Sequence, residues 1–398
     1  MALTPAKPAV SSRSSAGRIA GRPFLGLIDH AIVQSPAEFA FDGAVTADDA
    51  DAAWTWLVRD IAPDLIDIET EDNAANVAAL ESLVPELMAR ARKALAEAQG
   101  NAEANRRIRQ QLGGDEPFDR LPVVLNALRC RALLEKAASF GRAANGMSDD
   151  ASLALALQSM PFNDPPVAAL LMQAAIGQVA NPTRLITAAI RISGSASEAA
   201  VTRNGFGPIV DAALAHAQNQ IPAMAQQGAF ADMDLVCRAV DRFHRLMRAV
   251  TGYVELNRGG RWANVAAALT KAASERLDPK LRDVAPDLNK AMRRREGTDR
   301  LDRDQILAAL NGMYLLATVR DSRDSLAVNA TFDQVWSQTG QALEIHIERN
   351  LQQLRNDPAD AIASARLDAA LKMAEVRFNQ EYADTLRRAK DVAERRVG

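Results

Sequence analysis

Cysteine, histidine and aromatic residues are all scarce in this chain of 398 residues. The two cysteines, Cys130 and Cys237, are too few for a disulfide framework, and we interpret both as small buried apolar side chains. Aromatic residues make up 5% of the sequence, which argues against a large ring-lined pocket. The four histidines are far apart, and the paired Glu-x-x-His motifs of metal sites in helical bundles are missing. The sequence therefore predicts no metal site and no cofactor.

Long apolar runs and catalytic signatures are missing as well. No apolar segment reaches the roughly 20 residues that span a bilayer, and no hydrophobic signal-peptide core follows the start. Neither a Gly-x-Ser-x-Gly elbow nor a phosphate-binding Gly-x-x-x-x-Gly-Lys is present. Runs of alternating β-branched residues are absent too. These absences favour a cytoplasmic, all-α protein without a catalytic site.

The most informative stretch of the sequence runs from Asp164 to Ile192. Its first part, Val167 to Ala180, is apolar on nearly every side, a pattern typical of a helix buried within a protein. Asp164 can cap this helix, and Pro165 suits its first turn. Asn181-Pro182 ends it, and a second helix is predicted from Thr183 to Ile192. We expect the two to form a helical hairpin at the centre of the protein.

Other segments also show helical periodicity and end signals. Thr46, with Asp49 three residues later, predicts a helix start. A single helix is predicted from Asp119 to Ala144, whereas the prolines predict separate helices over Trp262 to Arg276 and Pro279 to Arg295.

The C-terminal segment lacks glycine and proline from Ala359 to about Arg396, so one long helix is predicted there. Its apolar stripe resembles a coiled-coil seam with a stutter. A helix of this length either spans the whole molecule or projects to a partner.

Charge is distributed unevenly along the chain. Residues 1–24 carry four basic side chains and no acid. Residues 38–81 carry twelve acidic side chains against Arg59 alone. Such a split indicates an acidic module that docks on the basic remainder of the chain or meets a basic partner.

These patterns predict an all-α fold of tandem helical hairpins, forming a multi-helix bundle or an irregular α-solenoid with a long C-terminal helix. We expect four parts. They are a disordered basic tail over 1–22, an acidic helical module over 23–115, a central helical body over 116–300, and a helical segment over 301–398 that ends in the long helix.

Three function classes remain open. We interpret the chain first as a non-catalytic scaffold or adaptor that binds protein partners, with self-association through the C-terminal helix as one form. A helical magnesium-dependent enzyme is the second, because the acidic run over 48–72 could supply carboxylates from Asp64, Asp67 and Glu69.

Nucleic-acid binding is the third class, through clustered arginines. A concentrated basic face is missing and the sequence pI is about 5.9, so this reading is disfavoured. The same arginines end helices, where they also offset the helix dipole. The arginines of this candidate interaction surface are Arg106, Arg107, Arg109, Arg293, Arg294, Arg295, Arg387 and Arg388.

Overall fold

The computed structural model describes residues 23–66, 74–161, 164–226, 232–293 and 301–395. The described chain is almost entirely helical, which confirms the predicted all-α, multi-helix fold. Two strands of two residues each pair in parallel, with Ile32 opposite Val45. The predicted tail over 1–22 lies outside the described residues.

The helices and strands are numbered in the order in which they occur along the chain. The N-terminal elements are α1 (Pro23–Leu27), β1 (Ile32–Val33), β2 (Val45–Thr46), α2 (Ala47–Trp56), a π-helical turn (Leu57–Ile61), α3 (Ala74–Ala98), α4 (Ala102–Leu112), α5 (Asp115–Arg129) and α6 (Arg131–Ala144). The next are α7 (Asp150–Gln158), α8 (Pro165–Gln178), α9 (Thr183–Ser193), α10 (Glu198–Arg203), α11 (Gly207–Gln218), α12 (Ile221–Met224) and α13 (Met233–Thr251). The last are α14 (Arg261–Met292), α15 (Arg303–Ser322), a 3-10 turn (Arg323–Ser325), α16 (Asn329–Asn356), α17 (Ala361–Arg377) and α18 (Gln380–Glu394).

The chain divides into two compact units. The first comprises residues 1–36 and 45–134, and the second comprises 37–44 and 135–398, each considered over its described residues. The predicted boundary between 115 and 116 falls inside the first unit, at the beginning of α5.

The first unit has an aromatic core. Phe24 and Trp54 stack with ring centroids 5.1 Å apart, and both side chains are fully buried. Thr46 Oγ1 accepts a hydrogen bond from the Asp49 amide at 3.1 Å, which confirms the predicted start of α2. Helix α2 packs on α5, and both of its tryptophans, Trp54 and Trp56, are fully buried.

The second unit contains the predicted buried helix, α8. Every residue from Val167 to Ile176 is buried, and Leu170 and Ile176 have no exposed surface. Asp164 caps the helix by accepting the Val167 amide, as its position in the sequence predicts. Burial on all sides explains why the segment lacks a polar face.

The predicted hairpin of α8 with α9 is replaced by another arrangement. Helix α8 packs mainly on α11, whereas α9 packs mainly on α7. Neighbours in sequence are therefore not the main packing partners here. Later pairs do follow the chain, since α14 packs on α15, α16 on α17, and α17 on α18.

Two predicted helix assignments are corrected by the structure. Helix α14 is continuous from Arg261 to Met292 although Pro279 and Pro286 lie within it. Packing on α15 and α16 offsets the roughly 3 kcal/mol that an interior proline costs. The predicted helix over 119–144 is instead two helices, separated at Cys130.

The C-terminal segment is helical from Ala361 to Glu394, as predicted, except for a break at Phe378 and Asn379. Asn379 causes a new helix to begin there, because its side chain accepts the Tyr382 amide at 2.7 Å. Helices α17 and α18 then pack on each other and on α16. The predicted seam is thus divided between two helices and does not run as one continuous stripe.

Candidate functional site

Aromatic side chains, scarce in the chain as a whole, gather with arginines at one place in the second unit. We call this group the arginine–aromatic cluster; it comprises Arg320, Arg323, Phe332, Trp336, Arg377, Phe378 and Tyr382. Its members come from the end of α15, the following 3-10 turn, the first turns of α16, and the junction of α17 with α18.

Trp336 is the centre of the cluster. The guanidinium carbon of Arg377 lies 3.6 Å from the centre of the indole ring, and Arg377 Nη2 donates to the Trp336 carbonyl oxygen at 2.6 Å. Phe332 stacks against the same indole with ring centroids 5.4 Å apart. The indole therefore contacts both a cation and a second ring, and each of these contacts is stabilising.

Helix geometry explains why these groups meet. Phe332, Trp336 and Gly340 are spaced four residues apart, so they lie on one face of α16. Gly340 leaves the space that Arg377 occupies, because an added Cβ would lie 2.9 Å from Arg377 Nη2. A larger residue at 340 would push the guanidinium away from Trp336.

Outer members extend the cluster in two directions. Arg320 lies over the Trp336 ring and Arg323 over the Phe332 ring, each with its guanidinium carbon 5.4 Å from the ring centre. On the other side, Phe378 and Tyr382 pack with ring centroids 4.8 Å apart. Arginine side chains and aromatic rings of the cluster thereby come from four helices, α15 to α18, and from the 3-10 turn.

Carboxylates keep the net charge of the cluster moderate. Arg320 pairs with Asp321 at 2.9 Å, and Arg323 pairs with Asp333 at 3.5 Å. Burial lowers the pKa of Arg377, while Glu344 opposes that effect. Burial, with a smaller contribution from Glu344, raises the pKa of Tyr382. The Arg377 guanidinium stays charged at neutral pH all the same, since arginine is not deprotonated in proteins.

The predicted arginines lie elsewhere. Arg106 and Arg107 are exposed on α4 in the first unit. Arg109 pairs with Asp115 and stacks 4.3 Å from the centre of the Phe118 ring. These contacts belong to the junction of α4 with α5.

In the second unit the predicted arginines bind nearby carboxylates and backbone. Arg387 pairs with Asp384 and with Glu375, the latter at 2.6 Å. Arg388 donates to the Asp384 carbonyl oxygen of its own helix at 3.4 Å. Arg293 is exposed just after α14, whereas Arg294 and Arg295 lie outside the described residues.

The predicted acidic site is described only at Asp64. Its carboxylate accepts two hydrogen bonds from Arg90, at 2.5 and 3.1 Å, and this contact lowers the pKa of Asp64. Asp67 and Glu69 lie outside the described residues. Across the described ranges, no three His, Cys, Asp or Glu side chains are grouped as they would be to hold a metal ion.

The arginines of the cluster could not be found from the sequence by searching for runs of basic residues. Arg320, Arg323 and Arg377 stand singly in the sequence, and only tertiary packing brings them together. One signal was available: in a chain with few aromatics, Phe332/Trp336 and Phe378/Tyr382 each repeat at a spacing of four.

Comparison of the chain with protein-family models, with curated proteins and with solved structures finds no match in any of the three. The class that the fold defines is an all-α, multi-helix protein. In the portion of the chain that the structure describes, no helix combines the length and apolar character that a membrane span requires.

Proposed function

We propose that the protein is a non-catalytic scaffold or adaptor that binds a protein partner through the arginine–aromatic cluster. The observation that carries this proposal is the contact of Arg377 with Trp336, surrounded by further arginines and rings. Tryptophan, tyrosine and arginine are the residues most enriched among those that dominate protein–protein binding energy.

Preorganisation supports the same proposal. Arg377 is fixed by its hydrogen bond to the Trp336 carbonyl and by its stacking on the indole. A side chain that is already ordered loses little conformational entropy when a partner binds. The cluster can therefore contribute to affinity without first rearranging.

The geometry supports nucleic-acid binding less well. Single-stranded nucleic acid binds by stacking its bases on aromatic rings. Arg377 and Phe332 already supply the stacking partners of Trp336. The carboxylates of Asp321 and Asp333 next to the arginines would also repel phosphates.

Affinity capture from the native cell, quantified by mass spectrometry, tests the proposal. We expect wild-type protein to enrich a partner that Gly340→Ala and Arg320→Ala enrich at least tenfold less. Gly340→Ala displaces Arg377 through the Cβ contact, whereas Arg320→Ala removes an outer cation. Arg303→Ala is the matched control, because Arg303 is another exposed arginine on α15 outside the cluster.

Circular dichroism and sedimentation accompany the capture, so that unfolding and self-association are measured separately. Equal enrichment of the same partners by all four proteins would overturn the proposal. If sedimentation shows a dimer that only the two cluster variants dissociate, the partner is a second copy of the chain.

A further inference from the structure

An open groove of about 560 Å³ lies between α14 and α16. From α16, Gln338, Gln341, Ile345 and Arg349 line it. They are spaced three or four residues apart, so they form one stripe along the helix. The stripe covers roughly 16 Å at 1.5 Å per residue, a length that about five residues of extended chain would match.

The groove presents three kinds of exposed group in a row. Gln338 and Gln341 offer carboxamides, each of which can donate and accept hydrogen bonds. Ile345 follows with 58% of its surface exposed, so it offers an apolar contact beside the carboxamides. Arg349 ends the row with an exposed guanidinium.

Arg349 is the one charged residue among those that line the groove. Among the described residues it forms no ion pair, whereas Arg355, six residues later on the same helix, pairs with Glu348 at 3.4 Å. The groove therefore ends in a guanidinium with which no described carboxylate forms an ion pair.

The wall of the groove holds a buried acceptor. His346 is 7% exposed, and its Nε2 lies 3.0 Å from Asn289 Oδ1. Asn289 Nδ2 donates to the Ala285 carbonyl, which fixes the amide orientation and places the proton on His346 Nε2. The other ring nitrogen, Nδ1, is an acceptor without a hydrogen-bond partner among the described residues.

We infer that this groove binds an extended peptide segment of a partner protein that carries a carboxylate. The two carboxamides would pair with the N–H and C=O groups of the extended backbone, Ile345 would contact an apolar side chain, and Arg349 would bind the carboxylate. The inference goes beyond the proposed function, because this site is separate from the arginine–aromatic cluster and involves other residues of α16.

Surface plasmon resonance on two immobilised heptapeptide mixtures tests the inference. Both mixtures vary Ala, Ser and Leu at six positions around a fixed centre, which is glutamate in one and lysine in the other. We expect wild-type protein to bind the glutamate mixture at least fivefold more tightly. Arg349→Gln should remove this preference, and Gln341→Ala should weaken binding about threefold.

Two control variants test whether the peptide preference depends on Arg349 itself. One removes a different arginine of the same helix, and the other removes an arginine of the arginine–aromatic cluster. Arg355→Gln, on the same helix but outside the groove, should bind like wild type. Arg320→Ala, in the cluster, should also bind like wild type, so the two proposals can fail independently. Equal binding of both mixtures by wild type, or a preference that survives Arg349→Gln, would overturn the inference.

Other occupants give distinct results. Full competition by free succinate at the peptide concentration would indicate a small-molecule carboxylate site and overturn the peptide inference. A dimer in sedimentation that Ile345→Asp dissociates would show that a second copy covers the groove, and would overturn it equally.

Discussion

Two buried glutamines in the second unit, Gln173 and Gln218, differ in whether their side-chain amides have hydrogen-bond partners. Gln173, on α8, is 1% exposed, and neither its Nε2 nor its Oε1 has a hydrogen-bond partner among the described residues. Gln218, on α11, pairs both amide atoms with the backbone of Phe39, at 2.9 and 3.1 Å. Burying the Gln173 amide without a partner thus destabilises the folded state, whereas the Gln218 amide binds residues 37–44 to α11.

Replacing each glutamine by methionine should change the free energy of unfolding in opposite directions. Gln173→Met removes a buried polar group without a partner and should raise the free energy of unfolding by about 1 kcal/mol. Gln218→Met leaves the Phe39 amide and carbonyl unpaired and should lower it by about 1–3 kcal/mol. Urea unfolding measures both, and changes of the same sign would contradict this account.

His216 shows how burial controls a titrating group. Its Nε2 donates to the Gln173 carbonyl oxygen at 2.7 Å, and its ring lies against Gly177, where an added Cβ would lie 3.0 Å from Cε1. The residue keeps some exposed surface, but protein atoms surround the imidazole. Burial and, to a smaller extent, the nearby Arg242 together lower the pKa of His216 to about 4, although the hydrogen bond to the Gln173 carbonyl oxygen acts to raise it.

This shift predicts loss of stability in mild acid. Between pH 6.5 and about 4 the unfolded chain binds a proton at His216 that the folded chain does not, so stability is fully present above 6.5 and falls as the pH falls. The full shift corresponds to about 3 kcal/mol. Urea unfolding from pH 7.5 to 4 should therefore show a smaller pH dependence for His216→Gln than for wild type.

His244 and His346 also have lowered pKa values, chiefly because of burial. Some pH dependence should accordingly remain in His216→Gln. An identical pH profile for wild type and variant would contradict the assignment to His216.

Packing between helices depends on close approach at a few positions. Gly141 on α6 lies against α8, and an added Cβ would stand 2.3 Å from the Ala175 carbonyl oxygen. Backbone cannot move away as a side chain can, so α6 and α8 would have to separate. Gly146, just after α6, has its nearest neighbour at 3.7 Å and can accept a methyl group.

Gly141→Ala should therefore lower the free energy of unfolding by about 1–3 kcal/mol, despite the higher helix propensity of alanine. Gly146→Ala serves as the control and should change it by less than about 0.5 kcal/mol. Thermal and urea unfolding of both variants test this. If Gly141→Ala is as stable as wild type, the close contact of α6 with α8 is wrong.

Elements whose causes are local could be predicted from the sequence. Thr46 and Asp164 cap helices as expected, because capping needs only neighbouring amides. The run from Val167 to Ile176 could be assigned as buried because its lack of a polar face does not depend on which helix covers it.

Boundaries set by tertiary packing could not be predicted in this way. The prolines of α14 predict a helix end, yet contacts with α15 and α16 keep that helix continuous. The break at Phe378 has no glycine or proline to mark it, and Asn379 was the available signal. The same limit applied to the cluster, since nothing local links Arg377 to Trp336.

At the scale of the whole molecule, the two proposed binding sites share one helix of the second unit, α16. In the second unit, the helices that follow the buried α8 lead to α16, whose two sides carry the arginine–aromatic cluster and the groove. The cluster is the feature on which the proposed function depends.

Photo-crosslinking in the native cell tests that dependence most directly. Benzoylphenylalanine replaces Tyr382, a member of the cluster, or Tyr253, a tyrosine 42% exposed after α13 that belongs to neither site. The account predicts a discrete crosslinked protein partner from position 382 and none of the same mass from position 253. Crosslinks of equal yield and identity from both positions, or none from 382, would contradict it.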